Sequence, residues 1–299
     1  MSTSDTRIVV VGSVNADLHL TVDRLPATGA TVLADRTRWL PGGKGANQAA
    51  AAARLGAAVS LVAAVGDDPT ADVAVGGLAE TGVSLDLLRR IPDTATGVAV
   101  VCVDAAGENL IVVSPGANAV LGSADIVLGA GCAAVLVSLE IPTATAAAAL
   151  AAARQAGALA VLNAAPADRV TPSLLAAADI LVANAGEATA LAAGHDGDVA
   201  ALAASAGTTV VVTAGGDAVR AVTADGDSYE VPARRVDVVD TVGAGDCFAA
   251  ALTVALVEHA ELPEAMRFAS AAAGLKVGRL GARSVPTRSE VETFLATPV

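Results

Sequence analysis

The chain has 299 residues, room for one large α/β domain or two modest ones, and a formal net charge of −13 that argues against nucleic acid or an anionic membrane as its main partner. Hydrophobic residues make up 54% of it, but alanine supplies much of that share, and the longest uncharged stretch, 199–216, is broken by Gly207, Thr208, Thr209 and the Gly215-Gly216 pair, so no transmembrane segment is expected. Cys102, Cys132 and Cys247 are too scattered for a disulfide framework or a zinc knuckle, and aromatic residues at 2% leave little for stacking on a base.

Residues 1–7 are polar and lead straight into an apolar strand with no signal-peptide core between, so the expected compartment is the cytoplasm. From there, apolar runs of strand length alternate with alanine-rich helical segments, the pattern of a mainly parallel sheet covered on both faces. Core strands are predicted over 8–12, 59–65, 134–139, 160–163, 180–183, 209–213 and 218–223. Helices are predicted over 45–55, 71–81, 143–157, 187–193, 199–206, 244–259 and 263–277. Two stretches, 13–40 and 96–113, carry short β-type segments without helices between them. Their turns, Pro26-Ala27-Thr28-Gly29 and Asp104-Ala105-Ala106-Gly107, suit hairpins. Together they form either a small sheet covering a site or an edge extension of the main sheet. The expected architecture is one α/β domain over 1–299, a three-layer sandwich with a small β-sheet lid.

Chemistry-bearing motifs follow the strands. In Gly12-Ser13-Val14-Asn15-Ala16-Asp17, Asn15 and Asp17 alternate onto one side of an extended segment, suited to a polyhydroxylated ligand or to an Asx turn. Pro41-Gly42-Gly43-Lys44-Gly45-Ala46-Asn47-Gln48-Ala49 places glycines, a lysine and amides at a helix mouth, where backbone approaches a ligand closely; its spacing is not that of a P-loop. Glu140 ends an apolar run and projects from the same rim, or is a solvated loop acid. Asn184-Ala185-Gly186-Glu187 suits water-mediated magnesium binding and equally a helix cap. Thr213-Ala214-Gly215-Gly216-Asp217 holds a nucleotide or simply turns a hairpin. Last comes Asp240-Thr241-Val242-Gly243-Ala244-Gly245-Asp246, in which amides of Gly243, Ala244 and Gly245 face an anion and Asp246 aligns a hydroxyl for attack on a phosphoryl group. The helix field is expected to lower the proton affinity of Asp246, making it a weak base in the ground state. His19, His195 and His259 share no ligand spacing.

Taken in order, the motifs at 12–17, 42–49, 184–187 and 240–246 resemble those of the PfkB carbohydrate kinases over nearly the whole chain; with Thr96-Gly97-Val98-Ala99 they resemble the branch acting on D-ribose. That resemblance implies ATP-dependent phosphorylation of D-ribose at its 5-hydroxyl, giving D-ribose 5-phosphate and ADP. By it, Asn15, Asp17, Gly43, Lys44, Gly45, Asn47 and Glu140 hold the sugar, Ala99 and Val101 lie over it on lid strands, and Asp246 activates the hydroxyl beside Gly243, Ala244 and Gly245. ATP falls to Asn184, Thr213, Ala214, Gly215, Gly216, Asp217, Ala218 and Gly245, with Ser270 against the adenine and Glu187 acting through magnesium waters. A potassium ion is implied at Asp240, Val242, Lys276, Arg279, Gly281 and Ser284, mostly through backbone oxygens, and a homodimer through the lid. Departures from the pattern are Ala183-Asn184-Ala185, Ser270, Lys276 in place of a small residue, and a segment 281–286 one residue short. The alternatives are a kinase of the same family for another sugar or a nucleoside, or a sugar-binding protein without catalysis.

Overall fold

In the computed structural model, which describes residues 7–297, side-chain alternation along buried strands sets the layers; the polar leader 1–6 lies outside the described residues. The first strand, β1 (Arg7–Val11), runs inside a ten-stranded sheet. Its Ile8 and Val10 join one core and Val9 and Val11 the other, because successive strand residues face opposite sides. The chain then leaves for β2 (Asn15–Val22) and β3 (Ala34–Gly42), and returns through α1 (Lys44–Arg54) to β4 (Ala58–Gly66). Next come α2 (Pro69–Val75), the short β5 (Val83–Ser84) and β6 (Leu88–Ile91), both parallel to β4, and then β7 (Gly97–Val103) and β8 (Asn109–Ser114).

The second half is more regular. β9 (Cys132–Ser138), α3 (Thr143–Gln155), β10 (Leu159–Asn163), α4 (Pro172–Ala177), β11 (Ile180–Asn184), α5 (Ala185–Ala192), α6 (Val199–Ala206) and β12 (Thr209–Thr213) extend the parallel sheet. β13 (Val219–Val222) and β14 (Ser228–Val231) finish it as an antiparallel edge, followed by α7 (Ala244–Val257), α8 (Leu262–Val277) and α9 (Arg288–Ala296). α1, α2, α7, α8 and α9 pack on the Ile8 side and α3 to α6 on the Val9 side, which makes three layers. Alanines at 49–52 and 249–251, all buried, let α1 and α7 lie close together against the sheet.

Strand order is β14-β13-β12-β11-β10-β9-β1-β4-β5. From β1 the chain moves to β4 on one side and later to β9 on the other, so the order reverses between β1 and β9. In open α/β sheets the crevice beyond the strand ends at such a reversal is where ligands bind.

The segments 13–40 and 96–113 build a separate four-stranded sheet, β3-β2-β7-β8, so the edge-extension alternative fails. β2 and β7 are parallel and the outer pairs antiparallel. Register sets Asp17 beside Leu40 and Ala99, and His19 beside Val101, on one face. The opposite face carries half-buried Leu18, Leu20, Val98, Val100 and Cys102 with exposed Trp39, Leu110 and Val112. Two helices escaped prediction, α4 and α9, and the helix predicted over 71–81 breaks at Gly76-Gly77, leaving a 3-10 turn at Ala79–Thr81. Among the described residues no helix is long and apolar enough to cross a membrane.

Candidate active site

The crevice between β1 and β9 is built by backbone crowding. At the end of β1, a Cβ on Gly12 would lie 2.7 Å from the Gly45 Cα, and one on Gly45 would lie 2.6 Å from the Gly12 Cα, so α1 starts against the strand only because both are glycine. Gly43, the residue before α1, has φ +90° and no side-chain cap. Ser13 does the capping instead: its Oγ accepts from Lys44 N at 3.0 Å and its carbonyl from Ala46 N at 3.0 Å. The same Oγ donates to Glu140 Oε2 at 2.5 Å, which ties the β9 rim to the mouth of α1.

Where β1 gives way to β2, Asn118 acts as a neighbouring strand would. Its Oδ1 accepts from Val14 N at 2.9 Å, and its Nδ2 donates to Val14 O at 3.2 Å and to Asn15 Oδ1 at 2.8 Å. A Cβ on Gly97 would fall 2.3 Å from both the Asn118 and Asn15 amides, so β7 also needs glycine here. Two residues on, Asp17 is packed so tightly that a Cβ on Gly42 would fall 2.1 Å from its Oδ2. Ala99 and Val101 are buried on the same face of the small sheet.

Asp246, in the first turn of α7, is buried and bound by two amides: Asn47 Nδ2 donates to Oδ2 at 3.0 Å and Gln48 Nε2 to Oδ1 at 3.1 Å. Burial raises its proton affinity, against Lys44 and the two amides. The expectation of a weak base is thus reversed, because the depth of the carboxylate outweighs the helix field. Asp17 is pushed up to about 7, by burial first and by Glu140 next, with Arg283 and Lys44 opposing. Burial alone would lower the Lys44 ammonium, yet Asp246, Glu140, Glu187 and Asp17 together hold it above its usual value. Its Nζ stands 3.9 Å from Glu140 Oε1. Acids drawn from β2, the β9 rim, α5 and α7 therefore converge on one lysine, a common cleft.

On the other side of that cleft, register sets Asn184 beside Thr213 at neighbouring strand ends. Asn184 and Glu187 form the capping box of α5: Asn184 Oδ1 accepts from Glu187 N at 2.9 Å, and Glu187 Oε2 from Asn184 N at 2.8 Å. The 213–218 turn closes the β12–β13 hairpin, with Asp217 N donating to Ala214 O at 3.0 Å. Ser270 faces a hollow of about 380 Å³ together with Val231, Pro232, Arg234, Ala271 and Leu295, none of them from the predicted nucleotide set. In the last turn motif, Gly243 has φ +78°, and Ala244 N donates to Thr241 O at 3.1 Å. That engagement takes Ala244 out of the expected anion hole, while among the described residues the Gly243 and Gly245 amides have no backbone acceptor. A Cβ on Gly245 would meet only open space.

The loops of the implied potassium site do come together, but three of their carbonyl oxygens already accept hydrogen bonds. Asp240 O accepts from Lys276 Nζ at 2.8 Å, Lys276 O from Arg279 N at 2.9 Å, and Gly281 O from Ser284 N at 3.1 Å, while Arg279 is paired with Glu290 at 2.6 Å. An ammonium group already holds the carbonyl that a bare ion needs, so these residues do not fit potassium. For magnesium the fit is better: among the described residues Glu187 Oε1 has no hydrogen-bond partner, and its charge reaches Lys44. Among the described residues no three His, Cys, Asp or Glu side chains cluster to hold a metal, so a divalent ion there would share the nucleotide's phosphates.

Sequence reasoning missed three groups. Ser13 and Gln48 lay inside quoted motifs but carried no distinguishing signal. Arg283 was hidden in the shortened segment 281–286. It donates from Nη2 to Gly42 O at 2.7 Å and Ala74 O at 2.8 Å, from Nη1 to Gly76 O at 2.8 Å, and from Nε to Asn47 Oδ1 at 3.3 Å. Burial lowers its guanidinium to about 10, and Asp17 and Asp246 oppose this.

The sequence profile of the family described as pfkB family carbohydrate kinase matches residues 5–288. Ribokinase of Bacillus subtilis (strain 168) is 37% identical over 97% of this chain and 99% of its own. An ATP-dependent ribose-1-phosphate kinase of Halopiger xanaduensis is 35% identical, with 97% and 98% covered. The structure of Arabidopsis thaliana ribokinase complexed with ribose and ATP superposes with a TM-score of 0.90 at 32% identity, covering 98% of this chain and 99% of that one.

Proposed function

The chain belongs to the pfkB family of carbohydrate kinases and is an ATP-dependent sugar kinase, and on that premise we propose that its sugar is D-ribose, phosphorylated at the 5-hydroxyl. The observation that carries this reading is the pairing of a buried Asp246, held by Asn47 and Gln48, with the neighbouring acids Asp17 and Glu140 and the buried amide of Asn15. The oxygen of the sugar hydroxyl bonds to the γ-phosphorus as the bond to the bridging oxygen of ATP breaks, and the hydroxyl proton passes to Asp246. Raised proton affinity suits Asp246 to that task, and the two amides, one on each oxygen, hold the carboxylate in a fixed orientation. Gly243 and Gly245 amides face the charge on the transferred group. Asn184, Thr213 and the 214–218 turn line the nucleotide side, beyond the sugar.

Magnesium is the divalent ion assigned to this site, with Glu187 and Asn184 as its water-mediated holders; bound there, it supplies charge neutralisation between the phosphates. The chain reads as a single kinase domain whose four-stranded sheet is the lid, with Ala99 and Val101 over the sugar. The apolar outer face of that sheet, Leu18, Val98, Val100 and Trp39 among it, is the proposed seam of a homodimer, to be tested by light scattering at micromolar protein. Cytoplasm is the proposed compartment, where ATP is available as donor.

A sugar phosphate is the second reading, because the Halopiger relative is named for one. The pocket disfavours it: Asp17, Glu140 and Asp246 outnumber Lys44 and Arg283, and both cations are already committed to protein oxygens. ADP release measured with ATP and magnesium, against D-ribose, ribose 1-phosphate, deoxyribose, fructose and adenosine, decides. The expected outcome is the highest kcat/KM with D-ribose; a preference of tenfold or more for another acceptor, on the order of 1.4 kcal/mol, overturns the assignment.

A further inference from the structure

Lys276 lies in the last turn of α8 and is fully buried. Its Nζ donates to one carbonyl, Asp240 O at 2.8 Å, and among the described residues it makes no salt bridge. Burying an ammonium without a carboxylate partner is costly, and a methionine would fill the same volume without that cost. The nearest acid, Asp240, has its oxygens occupied otherwise: Oδ1 accepts from Val242 N at 2.9 Å and Oδ2 from Gly281 N at 2.7 Å.

What makes the place tolerable to a cation is the carbonyl end of α8 together with Asp240 O. What makes it consequential is sequence distance: Asp240 lies three residues before Gly243, the glycine that starts α7 and its anion turn. The charge also reaches Cys247 and Asp246 on α7, so it is felt where the hydroxyl proton must go. A positive charge next to the amino end of a helix finds no stabilisation there from the helix field; what it adds is attraction for an anion arriving at the turn.

We propose that the Lys276 ammonium is the built-in cation of the anion turn: it fixes the 240–243 loop and supplies positive potential for the transferred phosphoryl group, so that turnover needs no potassium. The proposal rests on the phosphoryl-transfer reading of the 243–245 turn. It assigns Lys276 a positioning and electrostatic role and no contact with substrate.

Three measurements test it. Wild-type kcat at constant ionic strength is expected to agree within about twofold in potassium, sodium, caesium and tetramethylammonium chloride; several-fold activation by potassium overturns the proposal. Lys276→Met is expected to lose about tenfold or more in kcat with little change in sugar KM, and Lys276→Ala to lose as much but to regain activity in potassium or ammonium, which fit the space left. A folded Lys276→Ala enzyme with wild-type kcat, or one that no small cation restores, overturns it. In thermal melts without substrate, potassium is expected to stabilise Lys276→Ala and to leave the wild type unchanged, by ordinary ligand linkage. That melting arm is independent of the reaction. If no sugar is phosphorylated the kinase reading fails, whereas if the variant's melting ignores potassium the seat for a cation fails.

Discussion

Two glycines start the two helices that meet in the cleft, and they solve the same backbone problem with different surroundings. Gly43 and Gly243 both take positive φ, +90° and +78°, and neither glycine has a side chain with which to cap its helix. In both turns a Cβ would collide with backbone at 2.7 Å: Asn15 N, Ser13 O and Val14 Cα at Gly43, and Ala282 O at Gly243. Behind Gly43 stand the Ser13 hydroxyl, backbone groups and the Arg283 guanidinium on Gly42 O, and α1 delivers the neutral amides Asn47 and Gln48. Behind Gly243 stands a loop pinned by a buried ammonium, and α7 delivers a carboxylate. The lesson is that the glycine turn only opens access to amides. A cation backs both turns, so the difference lies in what each helix delivers beside its glycine: two neutral amides from α1 and a carboxylate from α7.

The strongest way to break this comparison is at the group the two helices share. Asp246→Asn removes the proton acceptor but keeps the shape, so kcat is expected to fall by roughly 10³-fold, with sugar affinity by calorimetry held within about threefold. Near-normal turnover in that variant would show that the acid is only a helix-start residue.

Next come the turns themselves. Gly43→Ala and Gly243→Ala should each cost on the order of 3 kcal/mol of stability, from strain at positive φ and contact with immobile backbone, read as a drop in the denaturant midpoint. If Gly245→Ala, where a Cβ meets open space, cost as much, the steric account of these turns would be wrong.

A smaller effect belongs to Arg283, which backs the sugar-side turn. Arg283→Met leaves the Gly42, Ala74 and Gly76 carbonyls without their donor, so a loss of about 2 kcal/mol and a severalfold rise in sugar KM are expected. An unchanged KM would mean that Arg283 staples α2 and nothing more.

The mildest test is titration. Asp17 stands near 7 in the fold against 3.8 for a free carboxyl, so between about pH 4 and 7 the unfolded chain sheds a proton that the folded one keeps. Folding stability contributed by this group is therefore full below the lower value and is lost as pH rises to the upper one. Sugar hydroxyls donate to the ionised form, so sugar KM should improve as pH rises through about 7. Asp17→Asn should flatten both profiles; a KM slope that survives in Asp17→Asn would assign it to another group.

Much of this was legible before any coordinates. Continuous apolar runs of strand length alternating with alanine-rich helices gave the layers, since β1 must be apolar on both sides to lie between α1 and α3. The glycine motifs announced themselves because only glycine permits such close backbone approach. What escaped was whatever depends on depth or on distant pairing. Asp246 looked like a weakened base, because a helix start is visible in sequence and its burial is not. Ser13 and Glu140 are 127 residues apart, and Arg283 and Gly42 are 241 apart, so no local pattern announces either contact. By contrast, the Thr287 and Glu290 capping box of α9 was readable and went unread.

Asn118 has a consequence for the hydrogen-bond polarity of recognition. The amide of Val14 has only a proton to give, so the oxygen of Asn118 must face it and the nitrogen must face Asn15. Asn15 is then obliged to turn its own oxygen toward Asn118, and what remains for a visitor is its NH2. One backbone proton, relayed through two side chains, thereby fixes the polarity of the greeting: at this corner of the pocket the ligand must offer a lone pair. An analogue whose oxygen there is replaced by hydrogen forfeits that bond with no way for Asn15 to flip and compensate, short of breaking the link to the backbone.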